Sequence, residues 1–365
     1  MEVLQNGRMP SFPVDTPPAR YFAIVERGVI GGIARHLPPN LGKVFVVSNE
    51  DVWRHQGAAL EAGLAGVSHA RIFLPGGEEN KRLAPLDAAA EEMVRLGGDR
   101  TSVVIGFGGG VVTDMAGFLA AIFMRGIPVI QVPTTLLAQV DAGIGGKTGV
   151  NLAVGKNLIG SFHQPIAALI DPAALDTLPE REYRAGLYEI LKAGVIRETA
   201  LFHFLAEHRD DVLARRPAAV DRIIADSVRM KAEVVSADER EGGLRRILNF
   251  GHTFGHALES ETGYTRLLHG EAVAFGMRAA TYLAQATGHL PAEDGREILD
   301  LIAAYGPIPP LDGIEAGNLL GRLVHDKKTR RGTVHFVLPV RVGETQVVSG
   351  VDERAVLEAI RLALS

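Results

Sequence analysis

Four side chains that could do chemistry recur at spacings of three and four in residues 245–256. They are an arginine, an amide and two imidazoles, namely Arg245, Asn249, His252 and His256. On a helix these spacings place all four side chains along one face. A lone buried histidine is more often structural than functional, but two at i and i+4 beside an arginine and an amide favour a binding site. The pattern therefore predicts one helix over 245–256 that carries such a site.

A metal ion is one candidate ligand for these histidines. The chain has no cysteine, so any metal must be held by His, Asp or Glu. Glu189 and Lys192 lie at i and i+3 on another predicted helix with apolar neighbours, and His269 starts a third helix. Glu189 with two histidines would form a zinc site with an open position. Spacing favours His252 with His256 as neighbours on one helix, but it does not choose between His256 and His269.

Several polar residues follow predicted parallel strands at their carboxyl ends. Open α/β sheets bind ligands at that edge. Residues 106–110 are glycine-rich and lie between a predicted strand and a predicted helix. Their backbone N–H groups could therefore approach a pyrophosphate. The glycine spacing, however, is not the G-x-G-x-x-G of the standard dinucleotide-binding motif. The polar residues at these strand ends are Glu78, Lys81, Asp114, Thr134 and Thr135.

A second glycine-rich stretch spans residues 139–157. It predicts a long polar loop whose tight turns aim several side chains at one ligand. These side chains are Asp141, Lys147, Lys156 and Asn157.

The order of the elements predicts the fold class. Short apolar strands alternate with helices up to residue 170, which is typical of an open, mostly parallel, Rossmann-like sheet covered by helices on both faces. Long helical segments follow to about residue 304, and then a small hairpin and a closing helix over 352–364. We therefore expect a flexible leader over 1–20, an α/β domain over 21–178 and a mainly α-helical domain over 179–365.

The length and the net charge of the chain limit its domain organisation and the partners that it can have. A chain of 365 residues is too long for one small core. The net charge of -5 argues against nucleic acid as the main partner. No apolar run is long enough to span a membrane, and the N-terminus lacks the basic-then-apolar order of a signal peptide. These features predict a cytoplasmic protein with no nucleic-acid or membrane partner.

Taken together and in order, the motifs resemble those of the 3-dehydroquinate synthase family in the sugar-phosphate cyclase superfamily. The resemblance runs from about Tyr21 to the C-terminus, and its most specific segments are Gly76–Lys81, Gly108–Asp114, Pro133–Asn157, Leu178–Lys192 and Gly243–His256.

The resemblance implies a phosphate-eliminating carbon–oxygen lyase that depends on NAD and a divalent metal, with Zn²⁺ favoured and Co²⁺ as the alternative. Such enzymes convert 3-deoxy-D-arabino-heptulosonate 7-phosphate to 3-dehydroquinate and phosphate, in the shikimate pathway of aromatic amino acid biosynthesis. The implied steps are transient oxidation by NAD, elimination of phosphate, re-reduction and an intramolecular aldol closure.

The resemblance also implies residue roles. The N-terminal domain would bind NAD and the helical domain would bind the metal through Glu189, His252 and His269. Positions matching substrate-binding residues are Asp141, Lys147, Asn157, Lys192, Lys231, Arg245, Asn249, His256 and one of Lys327 and Lys328. Positions matching cofactor-binding residues are Asn49, Glu78, Lys81, Gly109, Gly110, Asp114, Thr134, Thr135, Lys147, Lys156 and Thr177. A homodimer is implied, in which Arg125 reaches the partner's site.

The chain departs from the family pattern in a few places. Ala142 and Gly143 stand where the family commonly has two serines, and Tyr188 and Ala193 replace an alanine and a tyrosine.

Three alternatives to this family activity remain open. One is a sister cyclase of the aminodehydroquinate or valiolone type, slightly favoured by Ala142 and Gly143. Another is a metal- and NAD-dependent polyol dehydrogenase. The third is a non-catalytic NAD-sensing or scaffold protein, which should have lost metal ligands.

Overall fold

The computed structural model describes residues 10–327 and 333–365. This part of the chain divides into two compact units. The first contains the described residues up to Pro179 together with Lys231–Arg240, and the second contains Glu180–Met230 and Glu241–Ser365. The predicted domain boundary after residue 178 stays a prediction, and the inclusion of Lys231–Arg240 in the first unit is a feature that the sequence did not indicate.

A seven-stranded sheet forms the first unit, and its strand order is β1-β2-β9-β6-β5-β3-β4. Only the pair β1–β2 is antiparallel, and the other pairs are parallel. The strands of this unit are β1 Ser11–Thr16, β2 Ala19–Val25, β3 Val44–Ser48, β4 His69–Phe73, β5 Val103–Gly108, β6 Val129–Pro133, β7 Lys147–Leu152, β8 Gly155–Phe162 and β9 Ala167–Ile170. Its helices are α1 Glu50–Gly63, α2 Leu83–Arg95 and α3 Gly110–Ile122.

Both faces of the sheet are covered, as the unbroken apolar runs of the strands predict. Successive residues of β3 point to opposite faces. Phe45 and Val47 pack with residues of α2 and α3 in one core, while Val44 and Val46 pack with residues of α1 in the other. The predicted fold class, an open and mostly parallel α/β sheet followed by a helical domain, is confirmed.

Two predictions for the first unit are wrong. Residues 11–16 are not part of a flexible leader, because they form edge strand β1 and pair with β2. Residues 139–157 are not a simple loop. They contain a π-helix over Ala138–Ala142 and most of the β7–β8 hairpin. Backbone pairing between two strands is not visible in a stretch whose most obvious sequence signal is glycine content.

The second unit is mainly helical. Its helices are α4 Glu180–Ile196, α5 Thr199–Glu207, α6 Arg209–Leu213, α7 Pro217–Ala237, whose last residues belong to the first unit, α8 His252–Glu261, α9 His269–Ala286, α10 Ala292–Ala304, α11 Ala316–Lys327 and α12 Glu353–Leu364. The predicted hairpin is present as β10 His335–Arg341 and β11 Glu344–Ser349. Among the described residues, no helix is both long enough and apolar enough to span a membrane. The cytoplasmic location stays a prediction.

The single helix predicted over 245–256 is wrong. Leu244–Asn249 forms a 3-10 helix, and α8 begins only at His252. Gly251 lies between them with φ 80°, a left-handed conformation that suits glycine and interrupts the helix. Arg245 and Asn249 therefore lie on a separate element from His252 and His256.

Candidate functional site

A carboxylate and two imidazoles from three helices meet in the second unit. Glu189 lies on α4, His252 is the first residue of α8, and His269 is the first residue of α9. Nε2 of His252 lies 3.9 Å from Glu189 Oε1, and Nε2 of His269 lies 4.0 Å from the same oxygen. The ligand atoms of the three residues lie within 4.8 Å of one another, which suits a metal ion.

Glycines allow these helices to approach closely enough to bring the three residues together. A Cβ on Gly255 of α8 would lie 2.9 Å from the carbonyl oxygen of Ala272 on α9. A Cβ on Gly276 of α9 would overlap the carbonyl oxygen of Gly251, and one on Gly270 would overlap that of Ala185 on α4. These contacts make the packing of α9 on α8 and α4 depend on the absence of side chains at these positions.

The donor set fits a divalent metal. Glu189 is 4% exposed, and its Oε2 pairs with Lys192 one helical turn later. No described residue donates a hydrogen bond to its buried Oε1, the oxygen that both histidines face. Buried carboxylate oxygens normally have a hydrogen-bond or metal partner, so a cation would satisfy this oxygen.

Each of the two histidines has an oxygen acceptor on its other ring nitrogen. Nδ1 of His252 lies 3.3 Å from the carbonyl oxygen of Phe250, and Nδ1 of His269 lies 3.2 Å from Glu259 Oε1. A proton on Nδ1 leaves Nε2 with the lone pair that binds a metal. In this tautomer both Nε2 atoms would face Glu189 with a lone pair for a metal ion.

A second combination of residues also has metal-binding geometry. The ligand atoms of His256, Glu259 and His269 also lie within 4.8 Å of one another. The ring centroids of His252 and His256 are 5.4 Å apart, and those of His256 and His269 are 6.1 Å apart. The structure thus places all the sequence-predicted histidines in one cluster, together with Glu259, which the sequence reasoning missed. The sequence spacing could have identified Glu259, because it lies seven residues after His252 and three after His256, on the same helix face.

Arg245 and Asn249 lie on the 3-10 helix of the same unit. Arg245 is 1% exposed, although its head group is charged. The Asn249 side chain donates to Glu241 Oε1. The sequence did not indicate this role for Glu241, which becomes visible only in the fold.

A buried lysine organises the predicted cofactor residues of the first unit. Nζ of Lys81 donates to Asp114 Oδ2 at 2.5 Å and to Asn157 Oδ1 at 2.6 Å. Burial raises the pKa of the Asp114 carboxyl and the Lys81 charge opposes this rise, while the charges of Glu78 and Asp141 add to it. This arrangement connects strand-end residues that are far apart in sequence.

Glu78 is the centre of a second polar group in this unit. The Asn151 amide donates to Glu78 Oε1 at 2.8 Å, and Lys156 Nζ lies 3.8 Å from the same oxygen. The Asn151 Oδ1 atom accepts from the backbone N–H of Asn157 at 2.9 Å. The β7–β8 hairpin therefore brings Lys156 and Asn157 to the turn after β4.

The remaining predicted cofactor residues also follow strands. Asn49 follows β3 and caps α1 by accepting from Val52 N at 2.8 Å. Gly109 is the N-cap of α3, and Gly110 is its first residue. The Thr177 hydroxyl accepts from Gln56 at 2.8 Å. Thr134 and Thr135 come directly after β6. Because these strands are parallel, the residues share the carboxyl edge of the sheet.

Asp141 lies in the π-helix and Lys231 on the last part of α7. Lys231 Nζ donates to the Asp141 carboxylate and, at 2.7 Å, to the Asp141 carbonyl oxygen. A single π turn often marks a functional site. A Cβ on Gly143 would lie 2.9 Å from the Ala138 carbonyl oxygen, so this π turn leaves no room for a serine there.

Four predicted residues remain to be placed. Lys147 and Arg125 are exposed, and Arg125 follows α3 in a left-handed backbone conformation with φ 69°. Lys327 is the last residue of α11, and Lys328 lies outside the described residues.

Two family models match consecutive parts of the chain. Residues 71–185 match the family model described as 3-dehydroquinate synthase N-terminal, and residues 186–329 match the one described as 3-dehydroquinate synthase C-terminal. The chain belongs to the 3-dehydroquinate synthase family. A 3-dehydroquinate synthase of Solibacter usitatus (strain Ellin6076) is 70% identical over 357 residues, which cover 98% of this chain and 100% of that protein.

Solved structures of sister cyclases are also similar. The 2-epi-5-epi-valiolone synthase of Streptomyces hygroscopicus subsp. jinggangensis 5008, with NAD⁺ and Zn²⁺ bound, is 31% identical at a TM-score of 0.86, covering 94% of this chain and 96% of that one. A 2-deoxy-scyllo-inosose synthase complexed with carbaglucose-6-phosphate, NAD⁺ and Co²⁺ is 25% identical at a TM-score of 0.88, covering 96% and 99%. The predicted family and the predicted enzyme class, a phosphate-eliminating cyclase, are confirmed.

Proposed function

We propose that this enzyme converts 3-deoxy-D-arabino-heptulosonate 7-phosphate to 3-dehydroquinate and phosphate, with NAD and a divalent metal as cofactors. The observation that carries the proposal is the group of buried Glu189 with half-buried His252 and His269, beside the buried Lys192, in a chain of this family. Zinc is our proposal for the metal and cobalt the alternative, since the similar cyclases contain one or the other.

The metal and NAD have separate sets of residues. Glu189, His252 and His269 would hold the metal, which would supply a positive charge that favours deprotonation of a substrate hydroxyl. Residues at the carboxyl edge of the sheet would hold NAD, and the backbone N–H groups and helix dipole at the N-terminus of α3 would favour its pyrophosphate. We assign to it Asn49, Glu78, Lys81, Gly109, Gly110, Asp114, Thr134, Thr135, Lys147, Lys156 and Thr177. Bound NAD would supply reversible hydride transfer, so the reaction would need no second redox substrate.

The substrate is an anion at both ends, with a carboxylate and a phosphate. Charged hydrogen-bond donors suit such groups, and fixing both ends holds the reacting carbons in place. In the first unit we assign Asp141, Lys147, Asn157 and Lys231 to the substrate, and in the second unit Lys192, Arg245, Asn249, His256 and one of Lys327 and Lys328. His256 and Asn249 are the candidates for proton transfer and enolate support.

Phosphate release from the heptulosonate phosphate by the purified enzyme, with trace NAD⁺, tests this function. We expect release to stop after chelation, to return with Zn²⁺ and to leave no net NADH. Net NADH without phosphate would instead indicate a polyol dehydrogenase and contradict the proposal.

A sister-cyclase activity is the second candidate, because Ala142 and Gly143 replace the usual serines and the 2-epi-5-epi-valiolone synthase is similar over 94% of the chain. A panel of other sugar phosphates under the same assay separates the two. Turnover of another sugar phosphate, with none of the heptulosonate phosphate, would favour the sister reaction.

We also propose a homodimer in which Arg125 reaches the partner's site. Its exposed side chain and left-handed backbone at the end of α3 support this proposal. Arg125→Ala and His252→Ala homodimers should both be inactive. A mixed dimer of the two variants should have about half of the activity of a wild-type dimer, because one of its two sites then has both His252 and the partner's Arg125. Mixed dimers that stay inactive would place Arg125 in its own subunit's site.

A further inference from the structure

We propose that Glu259 is a positioning residue that holds the His269 ring and its tautomer for metal binding. The inference rests on the proposed metal-dependent function and adds to it a residue outside the metal and substrate sets. Glu259 is 2% exposed and lies on α8, while His269 begins α9. The contact therefore joins the two helices at the metal site.

The His269 ring lies between two carboxylates. Its Nε2 is 4.0 Å from Glu189 Oε1, and its Nδ1 is 3.2 Å from Glu259 Oε1. An ionised carboxylate only accepts hydrogen bonds, so Nδ1 carries the proton that the Glu259 contact requires. The lone pair is then on Nε2 and faces Glu189. A carboxylate on the distal nitrogen also makes the imidazole a stronger metal ligand.

His252 makes the corresponding contact with a weaker acceptor. Its Nδ1 lies 3.3 Å from the Phe250 carbonyl oxygen, within its own chain segment. His269 is held across a helix–helix contact by a charged group. The two ligands are thus oriented by different means, and only the His269 contact depends on a replaceable side chain.

The competing role for Glu259 is direct metal ligation with His256 and His269. Glu259 Oε1, however, lies 3.2 Å from His269 Nδ1, a distance that suits a hydrogen bond between the two side chains. Glu189 Oε1 faces the Nε2 atoms of both His252 and His269, whereas Glu259 Oε1 lies on the Nδ1 side of the His269 ring. His256 is also exposed, unlike the buried Glu189. The geometry therefore favours Glu259 as a residue that positions a metal ligand rather than as a metal ligand itself.

Zn²⁺ binding by the full chain without substrate or NAD tests the inference independently of turnover. We would compare Glu259→Gln and Glu259→Leu with the wild type by competition against a chromophoric chelator, and record the visible absorption spectrum of the Co²⁺-loaded proteins. The matched control is Glu261→Gln on the same helix, because Glu261 binds Asn318 at 2.9 Å and Arg322 at 3.0 Å instead of a histidine.

We expect Glu259→Leu to raise the Zn²⁺ dissociation constant by about 10- to 100-fold and to change the Co²⁺ spectrum. Glu259→Gln retains an acceptor for Nδ1–H and should lie between Glu259→Leu and the wild type, while Glu261→Gln should match the wild type. Thermal melting of the metal-free proteins checks folding, and Glu259→Gln keeps the test intact if the leucine variant does not fold.

Two results would overturn the inference. One is wild-type Zn²⁺ affinity in both Glu259 variants. The other is a loss in Glu259→Gln as complete as in Glu189→Gln, which would make Glu259 a ligand. A chain that binds Zn²⁺ as expected but releases no phosphate would count against the proposed function and leave this inference standing.

Discussion

Replacing His252 with alanine is expected to remove the bound metal and to lower the rate of phosphate release by at least about 10³-fold. His252 supplies one of the Nε2 atoms that face Glu189, and two remaining ligands hold zinc poorly. A metal that acts as a Lewis acid contributes several kcal/mol to a transition state, and each ~1.4 kcal/mol is tenfold in rate. Metal content by elemental analysis and phosphate release measure the two effects.

His256→Ala is the matched control, since it removes a second imidazole from the same helix at a ring distance of 5.4 Å. We expect this variant to keep its metal and to turn over slowly, because His256 is assigned to the substrate. A metal-loaded, active His252→Ala enzyme, or a His256→Ala enzyme without metal, would favour the second combination of ligands over the first.

Replacing Lys81 with methionine is expected to destabilise the protein by about 3–5 kcal/mol at neutral pH and to weaken NAD binding. Lys81 is 3% exposed and pairs with Asp114 at 2.5 Å, so its removal leaves a carboxylate without its main counter-charge in a largely buried position. Removing one partner of a buried ion pair has costs of this size. Urea denaturation measures the stability, and calorimetric titration with NAD⁺ measures the binding.

The loss of stability in Lys81→Met should increase as the pH rises. Burial raises the pKa of Asp114 and Lys81 opposes the rise, so the variant should have a still higher pKa at this carboxyl. A raised carboxyl pKa contributes stability that is fully present below the unfolded pKa of about 3.9 and is lost as pH rises through the folded pKa. The deficit of Lys81→Met should therefore be small near pH 4 and grow toward neutral pH.

Lys156→Met is the control for this pair. Lys156 lies 3.8 Å from Glu78, and its side chain is 21% exposed. Partly solvated ion pairs contribute less than about 1 kcal/mol. Equal losses in the two lysine variants, or a Lys81→Met deficit that is flat with pH, would show that Lys81 does not stabilise a buried Asp114 charge.

Local sequence patterns predicted the elements well where the pattern depends on near neighbours. The alternation of strands and helices was predicted to end at residue 170, and the last strand of the sheet along the chain, β9, does end at Ile170. Glu189 and Lys192 lie one turn apart on α4, as their spacing indicates. Periodicity is a property of the backbone conformation itself, so it is visible without the rest of the fold.

The errors arose where a single backbone feature broke the pattern. Arg245 and His252 have helical spacing, yet Gly251 turns the chain between them. The stretch over 139–157 has the glycine content of a loop, yet it pairs with the following residues as a hairpin. Neither the left-handed turn nor the strand pairing follows from spacing or composition, because each depends on what the segment packs against.

The sequence by itself determined the family, the absence of thiolate ligands and the residue types available to a metal and to an anionic substrate. Those are properties of side-chain chemistry and of motif order along the chain. Only the tertiary structure decided that His252 and His269 face the same oxygen of Glu189 and that Glu259 holds the His269 ring. The physical reason is the close approach of α8 and α9 at Gly255 and Gly276, which brings together side chains that no local spacing relates.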